Sequence, residues 1–299
     1  MAEESGVTGE ALLSRARVLG ADRAYLIAPD WAEEAKAAGA SAILVLLAAW
    51  RPFEARRDGR GPGLCAYYLA ENGLYHRTAA LLKELEAAGV RAERNVTLRV
   101  KPLLERTGLA ARGENDLMAV RGLGSLFAVQ IVLLWGVSPL PLPEGEASAC
   151  LHCGRCRAAC PSGALGQGYC REDCVRNWMD GQPMEEFAME KISLLLGCER
   201  CQRVCPRNAG IPLQPYPAEL LELLTWERLV NLSPTDKKAL AALVGKNLLG
   251  RKRIETQALL LAEKAHWPGA AQAAEELLSC GSPAAERAAQ WVLARGETP

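Results

Sequence analysis

The sequence predicts an α/β N-terminal domain, then a ferredoxin-like double-cluster domain, then an α-helical C-terminal domain. Three observations lead there. Over the first ~145 residues, helical patterns alternate with apolar runs of strand length. Nine of the eleven cysteines fall between Cys150 and Cys205. Beyond Pro212, short helical patterns follow one another, two of them opened by Ser-Pro and closed by Gly. The expected domains are residues 1–145, 146–212 and 213–299.

Taken in order, "TGEALLSRARVLG" reads as a helix with Thr8 near its start and Gly20 at its stop. "APDWAEEAKAAG" reads as a short helix capped by Asp30. "SAILVLLAAW" is a continuous apolar run of strand length, and "GRGPG" at 59–63 is a flexible connection that lacks the strand–loop–helix context of a phosphate loop. "HRTAALLKELEAAGV" is an amphipathic helix ending at Gly89, and "DLMAV" and "SLFAVQIVLLWG" are strands. The prolines of "GVSPLPLPEGEAS" make it a linker. "MEEFAMEKISLLLG" is the one helix expected in the cysteine region. In the tail, "SPTDKKALAALVG", "IETQALLLAEKAHW" and "SPAAERAAQWVLARG" suggest a small HEAT-like stack.

The chain carries 35 basic and 35 acidic residues and no net charge, which argues against a generally basic nucleic-acid binder. Its start, "MAEESGVTGE", has neither a basic nor an apolar leader region, so no signal peptide is expected. The longest apolar runs fall far short of the roughly 20 residues of a membrane helix. The expectation is a soluble, cytoplasmic protein with no membrane partner.

In a reducing compartment, clustered thiols point to metal rather than to disulfides. Cys150, Cys153, Cys156 and Cys160-Pro161 have the spacing of bacterial two-cluster ferredoxins, in which three thiolates bind one cluster and the fourth reaches the other. A second half, Cys198, Cys201 and Cys205-Pro206, has three cysteines and needs one more; Cys170 and Cys174 in "YCREDC" both offer it. Eight ligands then close the count. Cys150, Cys153, Cys156 and Cys205 would hold the first 4Fe–4S cluster, and Cys160, Cys198, Cys201 and one of Cys170 or Cys174 the second. Zinc is disfavoured by the third cysteine of each run and by the Cys-Pro that ends both halves. His152 reads as a solvated loop residue, Cys65 and Cys280 as small buried hydrophobes, and His76 and His266 as structural.

The arrangement over residues 40–260 resembles the cobalamin-dependent epoxyqueuosine reductases, which carry out the last step of queuosine biosynthesis on tRNA. The double-cysteine segment carries most of the resemblance. In that family the isolated cysteine follows a short charged run, which "REDC" matches, so the resemblance selects Cys174 as the eighth ligand and leaves Cys170 as an extra. Tyr75-His76 is similar to a Tyr-His pair of the family. "TGLAARGENDLMAVRGLGSLFAVQI" is similar to its Gly-Leu…Gly-Lys-Asn loop and following Gly-Ser strand, which places Gly108, Gly113, Asn115, Gly124 and Ser125 on family positions. The resemblance implies that cobalamin lies against Gly113 and Asn115, that a ferredoxin or flavodoxin donates electrons, and that tRNA is a partner.

The chain also departs from the family. The general-acid aspartate of an Asp-Ser-Ala-Pro stretch falls, by counting, on Arg94-Asn95-Val96-Thr97, with Glu93 one position away as the substitute candidate. The second motif ends in Cys-Pro-Arg-Asn where the family has Cys-Pro-Trp-Asn. Basic residues concentrate only at Lys237-Lys238 and in "GRKRIE" near 250, which read as solvated helix faces. The expected function is an iron–sulfur oxidoreductase that passes electrons through two clusters to a cobalamin and substrate site in the α/β domain. The competing expectations are an electron-transfer protein that docks on a partner enzyme without a catalytic site of its own, and an RNA-binding role with the clusters as staples.

Overall fold

The computed structural model describes residues 7–95 and 97–296. The start of the chain, residues 1–6, where a leader was sought, lies outside the described residues, as does Val96 of the expected acid stretch. Packing divides the chain into two compact units. The first gathers the described residues of Met1–Trp50, Leu69–Cys153 and Pro206–Ile211; the second gathers those of Arg51–Tyr68, Gly154–Cys205 and Pro212–Pro299.

The first unit is built on a four-stranded sheet of β1 (Arg23–Ile27), β2 (Ala42–Ala49), β3 (Ala92–Asn95) and β6 (Phe127–Leu134), in the order β1-β2-β6-β3. Every pairing is antiparallel, Val45 lying opposite Ile131 and Arg94 opposite Val132. Helices and strands do alternate, as the sequence predicts, but the alternation here feeds an antiparallel sheet. An apolar run shows that both faces of a strand are covered and leaves its direction open. In β2 every residue from Ala42 to Ala48 is buried. One face of the sheet, with Ile43, Val45, Leu47, Ile131 and Leu133, packs on Leu103 and Leu104 of a helix at Val100–Arg106 and on Leu109, Met118 and Val120.

Four helices belong to this part of the chain: α1 (Gly9–Val18), α2 (Glu33–Ala37), α3 (Tyr67–Ala87) and α4 (Val100–Arg106). Thr8 caps α1, accepting from Ala11 N at 3.3 Å. Asp30 does not cap α2; it lies in a single turn at Pro29–Trp31, and Ala32, in extended conformation, separates that turn from the helix. α3 begins nine residues before His76, at Tyr67. "DLMAV" supplies only β5 (Met118–Ala119), which forms a small hairpin with β4 (Ala111–Arg112). The proline-rich stretch is not a free linker. Leu140 N donates to Leu26 O at 2.9 Å, Ala147 bridges Val120, and the Tyr25 hydroxyl donates to Glu146.

The second unit holds α5 (Arg155–Ala159), α6 (Glu186–Lys191), α7 (Arg200–Arg203) and the tail helices α8 (Ala218–Leu223), α9 (Trp226–Val230), α10 (Pro234–Val244), α11 (Arg253–Lys264), α12 (Ala270–Leu277) and α13 (Pro283–Gly296). The helix expected across "MEEFAMEKISLLLG" stops at Lys191. Its last turns are diverted because Leu195 N donates to Gly63 O at 2.8 Å, and Cys65 N to Leu195 O at 3.0 Å. "GRGPG" is likewise fixed rather than flexible. Trp226 donates its backbone N to Arg60 O and its indole N to Gly59 O, and a Cβ on Gly61 would come within 1.7 Å of Leu224 O. The tail helices do not stand apart from the cysteine region: buried Gln257 of α11 accepts from Leu196 N at 2.7 Å and donates to Met179 O at 3.0 Å. Among the described residues no helix is long and apolar enough to cross a membrane.

Candidate metal centre and adjoining loop

The thiols from Cys156 to Cys205 lie in the second unit on short helices and tight loops, which leave Sγ atoms free to converge. Cys156 is in α5 and Cys201 in α7, while Cys160 and Cys205 follow those helices. Burial pushes the Cys198 thiol up, and the charges of Cys174 and Cys160 add to that, so these three sulfurs share one neighbourhood. Cys170 is oriented differently: its Sγ lies 3.6 Å from the Glu172 carboxylate, and Asp173 accepts from it.

The second half-motif is held from behind by a carboxylate that spacing alone does not reveal. Glu199, 1% exposed, lies between Cys198 and Arg200 in sequence. It accepts from Arg203 at 2.7 Å and from Ala66 N at 3.2 Å. The buried Cys65 thiol, raised by its burial and by Glu199, rests against Gly197, where a Cβ would meet Sγ at 2.7 Å. Cys65 is thus buried as expected, whereas Cys280, just beyond α12, is partly exposed. A buried carboxylate that accepts from a guanidinium, a backbone N–H and the Cys65 thiol is satisfied, and it fixes the backbone from which Cys198 and Cys201 project.

In the first unit, the loop matched to the family's glycine loop turns tightly between β4 and β5. Gly113 N donates to Leu117 O, and Asp116, in left-handed conformation (φ 58°), is held by Lys101 and by Arg112 at 2.8 Å. Arg207 closes over this loop. Its Nη1 donates to Ala111 O at 3.2 Å and to Ser148 O at 2.8 Å, two residues before Cys150. Its Nη2 occupies the space a side chain on Gly113 would need, 2.1 Å from where a Cβ would stand. Gly124 and Ser125 serve the same closure: Ser125 N donates to the buried Asn208 Oδ1 at 2.8 Å, and a Cβ on Gly124 would collide with that oxygen. Asn115 is 5% exposed; its Oδ1 accepts from Leu117 N, while its Nδ2 is buried without a hydrogen-bond partner. Beside the loop, Glu114, Cys150 and His152 bring a carboxylate, a thiol and an imidazole within 4.8 Å of one another. His152 is well exposed, as expected of a loop residue.

The acid positions look different. Glu93 lies on β3, exposed, and pairs with Arg91 at 2.7 Å. Arg94 stacks on the Tyr75 ring at 3.8 Å and donates to Tyr75 O at 2.7 Å. The basic residues of the tail do not form a free patch either: Lys237 and Lys252 both point to the buried Glu255, at 3.6 and 3.4 Å, and Arg253 donates to Asp180 O.

Free thiols gathered on short helices and tight loops, with Cys160, Cys174 and Cys198 in one neighbourhood, make a donor set of the kind that suits iron–sulfur ligation. Comparison with known proteins narrows this. No protein-family model matches the chain. It is 30% identical to the epoxyqueuosine reductase of Shewanella oneidensis over 158 residues, 47% of this chain and 39% of that protein. It is 26% identical to that of Salmonella typhimurium over 210 residues, 65% of this chain and 53% of that protein. These matches span about two-fifths to half the length of the curated relatives. Among solved structures, a selenomethionine-labelled epoxyqueuosine reductase superposes with a TM-score of 0.73 at 20% identity, over 95% of this chain and 88% of the other. An epoxyqueuosine reductase with a tRNA-Tyr epoxyqueuosine-modified tRNA stem loop superposes with a TM-score of 0.71 at 20% identity, over the same shares. The chain is thus similar to epoxyqueuosine reductases, in sequence over part of its length and in fold over nearly all of it.

Proposed function

We propose that this protein is an iron–sulfur oxidoreductase of the epoxyqueuosine reductase type, which carries electrons through two 4Fe–4S clusters to a corrin. Its substrate is epoxyqueuosine in tRNA or a close chemical relative. Cys150, Cys153, Cys156 and Cys205 hold the first cluster, and Cys160, Cys174, Cys198 and Cys201 the second. The convergence of Cys160, Cys174 and Cys198 supports the second set, and the outward setting of Cys170 beside Glu172 supports its exclusion.

The loop at Gly113–Asn115 fits a corrin on one observation: the Asn115 amide is buried with an unused donor, the state expected of a group that awaits an acceptor on a ligand. When bound, the clusters supply one-electron transfer and the corrin a reducible cobalt centre. The residues of this chain supply position. Gly113 leaves the room that Arg207 fills, Asn115 offers an N–H, and Glu199 with Arg203 fixes the loop that bears Cys198 and Cys201. A ferredoxin or flavodoxin supplies the electrons. The acid position sets this chain apart: Arg94 stands where a proton donor is expected, and Glu93 faces solvent in an ion pair. That observation favours the competing reading, an electron carrier without its own substrate.

Anaerobic purification followed by assay of iron, sulfide and corrin binding decides between them. About eight irons per chain with retention of cobalamin at micromolar concentration is the expected result. The same iron content with no corrin retained overturns the enzyme reading in favour of the carrier. Zinc in place of iron overturns both.

A further inference from the structure

Arg207 is a cation without an anion. It is partly buried, and among the described residues no carboxylate lies within ion-pair distance of it. The nearby acids are turned elsewhere: Asp116 is held by Lys101 and Arg112, and Glu114 faces His152 at 3.8 Å. Two backbone carbonyls take Nη1, but Nε is buried with no acceptor. A second orphan donor stands beside it. Asn115 Nδ2 is also buried and unpartnered, and both side chains crowd the place where Gly113 lacks a Cβ, Arg207 Nη2 at 2.1 Å and Asn115 Oδ1 at 2.7 Å from that point. An uncompensated guanidinium and an unused amide N–H on one small loop are costly unless something accepts from both. The partner that suits a guanidinium fork and an added N–H is a tetrahedral oxyanion.

We propose that Arg207, which follows Cys205-Pro206, and Asn115 form a phosphate-binding subsite at the loop around Gly113. The proposal rests on the corrin reading only for the source of the phosphate. That source is either the phosphodiester of the corrinoid's nucleotide tail or a backbone phosphate of the RNA.

The test uses the full chain, purified without oxygen and with its clusters in place, as wild type, Arg207→Gln, Arg207→Lys and Asn115→Ala. Inorganic phosphate is titrated in by ³¹P line broadening; cobalamin, cobinamide (the same ring without the phosphodiester) and an RNA stem loop are titrated separately. The expected result is that Arg207→Gln weakens phosphate binding ~10-fold or more, that Arg207→Lys restores part of it, and that Asn115→Ala, which leaves the Arg207 clasp intact, also weakens it. Loss of affinity for cobalamin but not cobinamide assigns the phosphate to the corrinoid. Loss for the stem loop alone assigns it to RNA. Equal binding of every probe by wild type and Arg207→Gln overturns the subsite. So does equal loss of cobalamin and cobinamide in both Arg207 variants with phosphate binding unchanged, since that marks Arg207 as a clasp on Ala111 and Ser148 only. If wild type retains neither corrinoid yet binds phosphate through Arg207, the corrin reading fails and the subsite stands.

Discussion

At the scale of single residues, Asp116 shows how this protein secures its candidate loop. Burial works against its charge, but Lys101 and Arg112 outweigh that and hold the carboxyl below its usual range. A carboxylate whose pKa is lower folded than unfolded stabilises above its unfolded value, ~4, and loses that contribution as pH falls through the folded value. Asp116→Asn keeps a residue that tolerates φ 58° and removes only the charge. The variant should therefore melt at a lower temperature than wild type at pH 7, with the gap closing as both are taken below pH ~4; a gap that persists in acid would show that charge is not what matters. The cysteines give a second residue-scale prediction. Cys174→Ala should lose about half of the bound iron, roughly four atoms, and Cys170→Ala should keep it. The reverse pattern would move the eighth ligand to Cys170.

At the scale of elements, the caps and close approaches are specific enough to test. Ser233 opens α10, with Asp236 N donating to its Oγ at 3.1 Å and that hydroxyl reaching the Asp236 carboxylate at 2.6 Å. Ser233→Ala should cost ~1 kcal/mol in denaturant unfolding, the usual worth of such a cap. This start was readable, because Ser-Pro followed by an apolar stripe and a glycine is a local grammar. So was the cap at Thr8. The strands at Arg23–Ile27 and Ala92–Asn95 were not: "RAYLI" is short and "AERN" is polar, and both become strands only because β2 and β6 offer them ladder partners. The stop of α6 at Lys191 was hidden for the same reason, its cause being the distant Gly63 and Gln257.

At the scale of the whole molecule, the proposed clusters would tie the cysteine region together where its own short helices cannot. Its helices α5, α6 and α7 are four to six residues long, too short to hold themselves without tertiary support. On the proposed function, cluster binding would be coupled to folding of this region. Removal of iron by a chelator under reducing conditions should lower the melting temperature and expose the 154–205 segment to protease; an unchanged melting curve would mean the clusters are passengers.

The sequence by itself determined the cysteine pattern that the proposed metal chemistry rests on, the apolar sheet strands and the tail helices. Each of these is encoded in spacing or periodicity over a few neighbouring residues. It also placed Arg94 where the resemblance expects an acid, and Arg207 after the second Cys-Pro. Only the tertiary structure decided that the sheet is antiparallel, that Glu199 and Cys65 lie behind the second half-motif, and that Arg207 and Asn115 meet at Gly113 with donors to spare. These facts depend on pairs of residues far apart in the chain, 83 and 96 residues apart for the bonds that close the loop from Asn208 and Arg207. Local pattern carries no information about which distant groups will be brought together, or which buried donors will be left without an acceptor.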